Sequence, residues 1–412
     1  MKLSVAPIYI IGAGISGLVA ARTLEERGYA PIILESAATP GGRVQTDAEG
    51  GTLFDRGFQV LLTAYPQAQK HLDFDTLNLH RFRPGALIFS NGKVERIGDP
   101  LRDISSLIPT LIAKVGSLAD KWKIFRLSTG LKKKSVEEIF SIPEQTTLEY
   151  LQAYGFSDQL ITTFFKPFFG GIFLEDSLHT SCRMFEFTFK MFSEGYAALP
   201  AQGIGAISKQ LADGLQETSL NYGQQVRQVK SGSLVLSGGE ERTSRATLIT
   251  VPFEPETGVL QESEVLWERC DNLYFNVSKR TFDEGIIALA ADPDALVNNL
   301  HYPFGQQVEG HPVLSVTVDK NHPLTQTELI QKVREDLDRY FEIQTKSFLK
   351  HYSIEKALPR RADLKMELEK PESEKLENVF VAGDYLLNGS LNAAMASGEA
   401  AAHALANALE RT

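Results

Sequence analysis

The chain begins with two apolar runs separated by apolar positions at helical spacing. Residues 5–11 (VAPIYII) predict a buried strand, and residues 31–34 (PIIL) predict a second one. Between them, Leu18, Ala21 and Leu24 recur at helical spacing, and Gly28 follows as a helix stop. The pattern therefore predicts a strand–helix–strand unit at the start of the chain.

Three glycines lie between the first predicted strand and the helix. Gly12, Gly14 and Gly17 form G-x-G-x-x-G, a spacing that permits a tight turn, close approach of a pyrophosphate and close packing of helix on strand. The helix N-terminus then offers free amide groups to phosphate. Glu35 ends the second strand, where an acid binds the adenosine ribose and repels the 2′-phosphate of NADP. This unit predicts a dinucleotide site without separating NAD from FAD.

Two later segments also have the features of a phosphate-binding turn or of a strand–helix junction. Residues 40–44 (PGGRV) place Gly41 and Gly42 beside Arg43, where the chain can pass close to phosphates. Residues 378–384 (NVFVAGD) predict a strand that stops at a Gly-Asp pair, and a helix rich in small residues follows over 390–409. A second helix N-terminus is therefore expected near the first one.

The middle of the chain shows both kinds of pattern. Apolar positions at helical spacing predict helix within residues 100–134, and Thr146 with Glu149 forms a capping box that predicts another helix start. Residues 231–241 predict a hairpin with a glycine turn, and a helix is expected from about 327 to 341 among short strands. We find no internal repeat.

Composition narrows the functional classes. The chain has 412 residues, and 52 acidic against 42 basic residues give a net charge of −10, which argues against a nucleic-acid partner. Its two cysteines exclude a disulfide framework and a cysteine-based metal site. The first apolar run reads as a strand and not as a signal peptide, and no apolar stretch is long enough to span a membrane. We therefore expect a cytoplasmic protein. No metal site is expected, because His80, His179, His301, His311 and His403 lack metal-ligand spacing.

The combined motifs resemble the flavin amine oxidase and phytoene desaturase superfamily, which also contains protoporphyrinogen oxidases. The resemblance rests on Glu35 followed by Gly-Gly-Arg and on the terminal Val-Ala-Gly-Asp segment before a helix rich in alanine and glycine. The segments 57–60 (GFQV), 199–207 (LPAQGIGAI) and 357–359 (ALP) are also similar to segments of that superfamily. Members keep FAD bound while substrates exchange at its ring.

The resemblance implies a set of FAD-binding residues. The pyrophosphate would contact the first glycine turn and Arg43, the ribose would bond Glu35, and Asp384 would orient the ribityl–phosphate part. Asp384 is also open to a purely structural role as a helix N-cap. The resemblance implies that FAD is bound non-covalently by Gly12, Gly14, Ile15, Ser16, Gly17, Glu35, Ser36, Gly41, Gly42, Arg43, Gly57, Phe58, Val226, Gly383, Asp384, Leu391 and Ala394.

The predicted fold class is α/β, with a discontinuous Rossmann-like FAD-binding domain and an inserted α+β substrate domain. The FAD-binding domain is expected at residues 1–75, 200–265 and 350–412, because its motifs lie in these three pieces. The substrate-binding domain is expected at residues 76–199 and 266–349.

Two features of the predicted substrate domain allow more than one interpretation. Residues 164–173 (FFKPFFGGIF) are dense in aromatic side chains, which build a core or line an apolar tunnel for a hydrocarbon substrate. Residues 101–134 are basic within an acidic protein, as expected of a solvated helix face or of a helix that docks on the surface of an anionic membrane.

The resemblance implies an FAD-dependent oxidoreductase. The leading hypothesis is hydride transfer from an apolar, for example polyene-like, small molecule to flavin N5, in a desaturase- or isomerase-like reaction. Oxygen, a quinone or another carrier would reoxidise the flavin. One alternative is a flavin amine oxidase, although Ser390 stands where an aromatic residue is expected and no cysteine is nearby for a covalent flavin link. Another is a flavin-binding protein without turnover. No catalytic residue is evident, and Gln59 is the single weak candidate.

Overall fold

The protein is described by a computed structural model that covers residues 6–90, 92–98, 115–253, 258, 265–319, 321–361 and 363–411. It is a mixed α/β structure with two large sheets and a layer of helices. The strands are β1 Ile8–Ile11, β2 Ile32–Leu34, β3 Thr46–Glu49, β4 Thr52–Asp55, β5 Leu61–Leu62, β6 Leu79–Arg81, β7 Gly85–Ser90, β8 Lys93–Gly98, β9 Ala197–Pro200, β10 Ser219–Asn221, β11 Val226–Lys230, β12 Ser233–Leu236, β13 Glu241–Thr243, β14 Ala246–Ile249, β15 Leu266–Val277, β16 Ile287–Ala290, β17 Asn299–His301, β18 Gln307–Val308, β19 His311–Val318, β20 Thr345–Arg360, β21 Glu374–Leu376 and β22 Val379–Val381.

Helices connect and cover these strands. Residues 158–173 are helical throughout, with a π-helical turn at Ile161–Phe165 between two α-helical parts. The α-helices are α1 Ile15–Glu26, α2 Pro66–His71, α3 Phe74–Leu77, α4 Leu118–Leu131, α5 Val136–Phe140, α6 Thr147–Tyr154, α7 Asp158–Leu160, α8 Lys166–Phe173, α9 Cys182–Glu194, α10 Ala206–Asp213, α11 Gln326–Phe341, α12 Lys370–Ser373 and α13 Leu391–Leu409.

The first large sheet is Rossmann-like. Its strand order is β10-β2-β1-β14-β22-β21, and every neighbouring pair is parallel except the antiparallel pair β21–β22. The predicted strand–helix–strand unit is confirmed as β1, α1 and β2. All four residues of β1 are buried because the strand is central and covered on both faces. Distant pieces of the chain thus meet in one sheet, which confirms the predicted fold class.

The second large sheet has eight strands and is mainly antiparallel. Its longest pairing joins β15 to β20, and α11 packs against one face through an apolar cluster that includes Leu273, Val333 and Leu337. The helix expected at about 327–341 is therefore confirmed as α11. The proposed domain boundary at residue 350 falls inside β20, because pairing with β15 continues as far as Arg360.

Several local elements predicted from the sequence are present in the structure. Thr146 and Glu149 form the expected capping box at the start of α6. The predicted hairpin is also confirmed, because β12 pairs antiparallel with β13 across a turn at Gly238 and Gly239. The C-terminal part of the basic stretch forms α4, whereas residues 101–114 lie outside the described part of the chain.

The aromatic segment contributes first of all to the core. Phe165, Phe169 and Phe173 are buried, and Phe169 contacts Phe185 of α9 with ring centroids 4.6 Å apart. The core interpretation of residues 164–173 is therefore correct for these side chains. Phe168 of the same segment lies at the wall of the large cavity described next.

A cavity at the carboxyl ends of the parallel strands

A cavity of about 1620 Å³ opens at the carboxyl end of the parallel sheet. Its wall includes the residue that follows each of four parallel strands: Gly12 after β1, Glu35 after β2, Thr250 after β14, and Gly383 close after β22. Ligands of open α/β sheets bind at this edge. The cavity exceeds the roughly 300–1,000 Å³ of ordinary small-molecule pockets, so it has room for a dinucleotide and a second molecule.

The residues predicted to bind the cofactor converge on this cavity. All of them except Gly17 belong to its wall, although they come from widely separated parts of the sequence, and the catalytic candidate Gln59 also belongs to it. Gly17 serves helix packing, because a Cβ there would lie 2.1 Å from the carbonyl oxygen of Gly12. Contact of these residues with the cofactor stays a prediction.

The N-terminus of α1 is prepared for an anion. Gly14 is the N-cap residue, no side chain caps the helix, and the first turn has no acidic residue. A Cβ at Gly14 would meet no atom within 4 Å, so the helix end borders open space. The amide of Gly41 donates to the Ala13 carbonyl at 2.8 Å, and this bond holds the second glycine turn against the first. Free amides beside open space fit a pyrophosphate.

Glu35 is held rigidly at the end of β2. It is buried, and its Oε2 accepts a hydrogen bond from the Ala13 amide at 2.7 Å, while Oε1 accepts one from the Ala37 amide at 2.7 Å. A carboxylate has about four acceptor positions, so it can still accept bonds from hydroxyl groups. This arrangement fits the predicted contact with the adenosine ribose.

Arg43 joins the two ends of the chain across the cavity. Its Nη2 donates to Asp384 Oδ1, its Nη1 donates to the Ala357 carbonyl at 3.3 Å, and its guanidinium lies 5.1 Å from the ring centroid of Trp267. Asp384 is not the N-cap of α13, because Ser390 caps that helix. Asp384 belongs instead to the turn that follows β22.

Gln59 supports the second glycine turn. Its Nε2 donates to the carbonyl of Arg43 at 2.8 Å and to the carbonyl of Arg56 at 3.2 Å. Both bonds hold backbone, so the side-chain amide positions Arg43. A direct role of Gln59 in catalysis stays a prediction.

Several residues of the cavity wall were not predictable from the sequence. Trp267 and Cys270 come from β15, Arg360 comes from β20, and Tyr385 follows Asp384. They belong to no local motif, and the position of β15 and β20 depends on pairing across the sheet. The side chain of Tyr385 is buried, and its hydroxyl donates to the Val251 carbonyl at 3.1 Å.

Cys270 of β15 also belongs to the cavity wall. Burial, together with the negative charges of Asp271 and Asp319, raises the pKa of the Cys270 thiol to about 12. The thiolate that would form a covalent link is therefore absent at neutral pH.

The far part of the cavity forms a chamber between α8, α9 and the second sheet. Among the described residues, those that α8, α9, β16, β17 and β19 contribute to the wall carry no charge. Three of them, Thr188, Asn299 and Thr317, are buried and polar, and of these Thr188 Oγ1 and Asn299 Oδ1 have no hydrogen-bond partner. The chamber wall consists of Phe168, Gly171, Ile172, Phe173, Met184, Thr188, Phe192, Ile287, Leu289, Asn299 and Thr317.

One histidine of the cavity wall is His179. His301 is buried behind Phe58, with ring centroids 4.2 Å apart, and burial lowers the pKa of His301 to about 3. Within the described residues, no group of three or more His, Cys, Asp or Glu side chains is arranged to hold a metal ion.

Comparison with known proteins identifies the family. The model of the flavin containing amine oxidoreductase family matches residues 15–406. The chain belongs to this family. It is similar to protoporphyrinogen oxidase 2 of Arabidopsis thaliana, with 26% identity over 164 residues, which are 40% of this chain and 32% of that protein. It is also similar to the prolycopene isomerase of the same plant, with 25% identity over 309 residues, or 64% of this chain and 50% of that protein. The matches thus span between about a third and a half of these relatives.

A solved structure supports the fold. The cyclohexylamine oxidase of Brevibacterium oxydans superposes with a TM-score of 0.67 and 16% identity, covering 98% of this chain and 100% of that one. At this level of identity the likeness concerns the fold. The family is one of flavin-containing oxidoreductases, and FAD, bound non-covalently, is the cofactor of this chain. The amides of α1, Glu35 and the glycine turns fit that cofactor.

Proposed function

We propose that the protein oxidises or isomerises a neutral, largely apolar small molecule, polyene-like in character, by hydride transfer to FAD. The observation that supports this most directly is the chamber, because the wall residues from α8, α9 and the second sheet's strands β16, β17 and β19 carry no charge; Glu175 and His179, between α8 and α9, are the charged or titratable residues of the wall next to it. An apolar wall favours an apolar substrate, and burial of a cationic ammonium there would be unfavourable. The similarity to a prolycopene isomerase, although partial, agrees with this choice.

In this proposal the residues of the chain bind and orient the substrate and exclude water from it. Bound FAD supplies a ring that accepts two electrons with a hydride. Phe168, Phe192 and Met184 provide the apolar surface on the helical side, and Ile287 and Leu289 provide it on the sheet side. Oxygen, a quinone or another carrier takes the electrons from the reduced flavin.

The substrate also has a neutral hydrogen-bonding group. Thr188 Oγ1 and Asn299 Oδ1 are buried at the chamber wall without partners, and such atoms cost about 1–3 kcal/mol each when they stay unsatisfied. Asn299 donates its Nδ2 to Asn298 Oδ1 at 2.8 Å, which leaves its own buried Oδ1 without a donor. A hydroxyl or amide N–H on the substrate satisfies this acceptor.

Amine oxidation is the second candidate. Trp267 and Tyr385 place two aromatic side chains at the cavity wall, although Ser390 occupies the position where we expected an aromatic residue. In the structure, Ser390 Oγ accepts a bond from the Ala393 amide at 3.0 Å, as the N-cap of α13. Two aromatic wall residues favour an amine as the second substrate class to be tested.

Anaerobic mixing of the FAD-loaded protein with three substrate panels tests the proposal. The panels are amines, polyenes with and without a hydroxyl group, and porphyrinogens, and the readout is bleaching of the visible flavin absorbance. Bleaching or double-bond isomerisation of a polyene supports the proposal. Bleaching by an amine alone assigns the second candidate, and no reaction with any panel supports a flavin-binding role without turnover.

A further inference from the structure

Helix α4 has an apolar face that no other part of the described structure covers. Leu118 is 70% exposed, Trp122 is 60% exposed and Phe125 is 49% exposed. Their spacing of four and three residues places them on one side of the helix. Leu127 and Leu131 of the same helix are buried in the main core. The helix is thus anchored by one side and presents large apolar side chains on the other.

The apolar face is unusual for this protein. Six large hydrophobic side chains are exposed among the described residues, and three of them lie on this single helix. The other three, Val94, Tyr222 and Leu266, lie on different strands or loops. Scattered exposure is normal, whereas a cluster with an aromatic centre marks an interaction surface.

A basic rim surrounds this face in a chain whose net charge is −10. Residues 115–134 contain six basic residues and one acid, Asp120, which is buried. The guanidinium of Arg126 lies 5.7 Å from the Trp122 ring centroid. Lys132 and Lys133 are exposed at the end of the helix. The rim therefore has the opposite sign to the rest of the molecule.

The helix is fixed to the body in this orientation. Ser117 and Asp120 form a capping box, and Asp120 also accepts bonds from the amide of Ser157 at 3.0 Å and from its hydroxyl at 2.7 Å. Beyond the helix, Lys134 donates to the buried carboxylate of Glu186 at 2.8 Å. These bonds keep the apolar face outward, so the exposure is a property of the folded protein.

We propose that the face formed by Leu118, Trp122 and Phe125 docks on an anionic lipid surface. Tryptophan and phenylalanine beside lysine and arginine match the boundary between headgroups and acyl chains. A second copy of this chain fits less well, because its equally basic rim would repel the first. In the described part of the chain no helix is long and apolar enough to cross a membrane, so α4 would lie in the interface. This docking does not depend on the substrate proposed above.

Fluorescence provides a direct test, because the chain has two tryptophans, Trp122 and Trp267. The FAD-loaded full-length Trp267→Phe variant keeps Trp122 as its single tryptophan. We expect its emission to shift to shorter wavelength with phosphatidylglycerol vesicles at low salt, but not with phosphatidylcholine vesicles. No shift and no co-sedimentation with anionic vesicles would overturn the proposal.

Matched variants distinguish vesicle binding by this face from non-specific hydrophobic binding. Phe125→Ser should weaken vesicle binding at least tenfold, and Lys132→Gln with Lys133→Gln should weaken it roughly tenfold to thirtyfold. Leu266→Ser removes an exposed apolar side chain elsewhere and should leave binding unchanged. An equal loss in this control, or loss of a dimer on Phe125→Ser without any vesicle binding, would contradict docking on lipid.

Discussion

Arg43 and Asp384, which are 341 positions apart in the sequence, form an ion pair at the cavity wall. The pair connects the second glycine turn to the turn after β22. It thus links two of the backbone segments that are expected to contact the cofactor. Asp384 is buried whereas Arg43 is partly exposed, so loss of the arginine would leave a buried carboxylate without its cation.

Replacement of Arg43 should therefore weaken retention of FAD. Hydrogen bonds to charged groups contribute about 1.5–3 kcal/mol, so Arg43→Met should raise the dissociation constant roughly tenfold to a hundredfold. The measurement is the fluorescence of released flavin on dilution. Arg22→Met removes an exposed ion pair with Glu26 on the outer side of α1 and should leave retention unchanged. Equal FAD affinity in the Arg43 variant would exclude this role.

Gly398 sets the distance between the two helices whose N-termini face the cavity. A Cβ at this position of α13 would lie 2.2 Å from the carbonyl oxygen of Ser16 in α1. Gly398→Ala should destabilise the protein by about 1–3 kcal/mol in urea unfolding and should also weaken FAD binding. Gly130→Ala in α4 is the control, because a Cβ there meets no atom within 4 Å. It should stabilise by about 0.5–1 kcal/mol.

The two unpartnered chamber atoms predict how substrate polarity affects binding. Thr188→Val removes a buried hydroxyl without changing shape, so the stability of the protein should stay equal or rise. Binding of hydroxylated polyenes should weaken roughly threefold to thirtyfold, while binding of their hydrocarbon analogues should not. Titration of the flavin spectrum measures both. Thr247→Val, in the buried strand β14, is a control distant from the chamber. A loss that is equal for both ligand types would contradict the assignment.

The parts of this structure that were predictable from sequence are those whose signal is local. The turn at Gly12 and Gly14, the acid Glu35 and the capping box of Thr146 with Glu149 were each recognisable within a few residues, because turns, strand ends and caps have short-range chemical requirements. Their convergence on one cavity followed from the rule that parallel strands end at the same edge.

The chamber could not be predicted in the same way. Trp267 and Cys270 reach the wall because β15 pairs with β20 along most of its length, and Asn299 reaches it because β17 pairs with β19. Such register depends on contacts between distant segments and leaves no motif of its own. The one local signal was Asn299, a polar residue among apolar ones. Its missing hydrogen-bond partner indicates a chamber wall instead of a closed core, but this becomes visible only in the folded structure.

The half-buried Asp55 and the buried Asp120 should give the stability of the protein opposite responses to pH. Burial raises the pKa of Asp55 to about 6, although hydrogen bonds from Thr46 and the Ile204 amide partly offset it. The folded state therefore favours the protonated acid, and this contribution is full below the ordinary pKa and is lost as the pH rises through about 6. For Asp120, burial would raise the pKa, but bonds from Ser117 and Ser157 outweigh it and lower the pKa to about 2.

Substitution of Asp55 or Asp120 by asparagine separates their contributions to the pH dependence of stability. The bonds to Asp55 both end on Oδ1, at 2.6 Å from Thr46 Oγ1 and 2.9 Å from the Ile204 amide, so Asp55→Asn keeps them. It should stabilise the protein by about 2 kcal/mol at pH 7.5 and by little at pH 4. Asp120→Asn should destabilise at pH 7.5, because its bonds favour the ionised acid, whose contribution is lost only as the pH falls towards 2. Urea unfolding at both pH values measures the stability of the two variants. If Asp55→Asn is less stable than the wild type at pH 7.5, the folded protein favours the ionised form of Asp55, which contradicts this prediction.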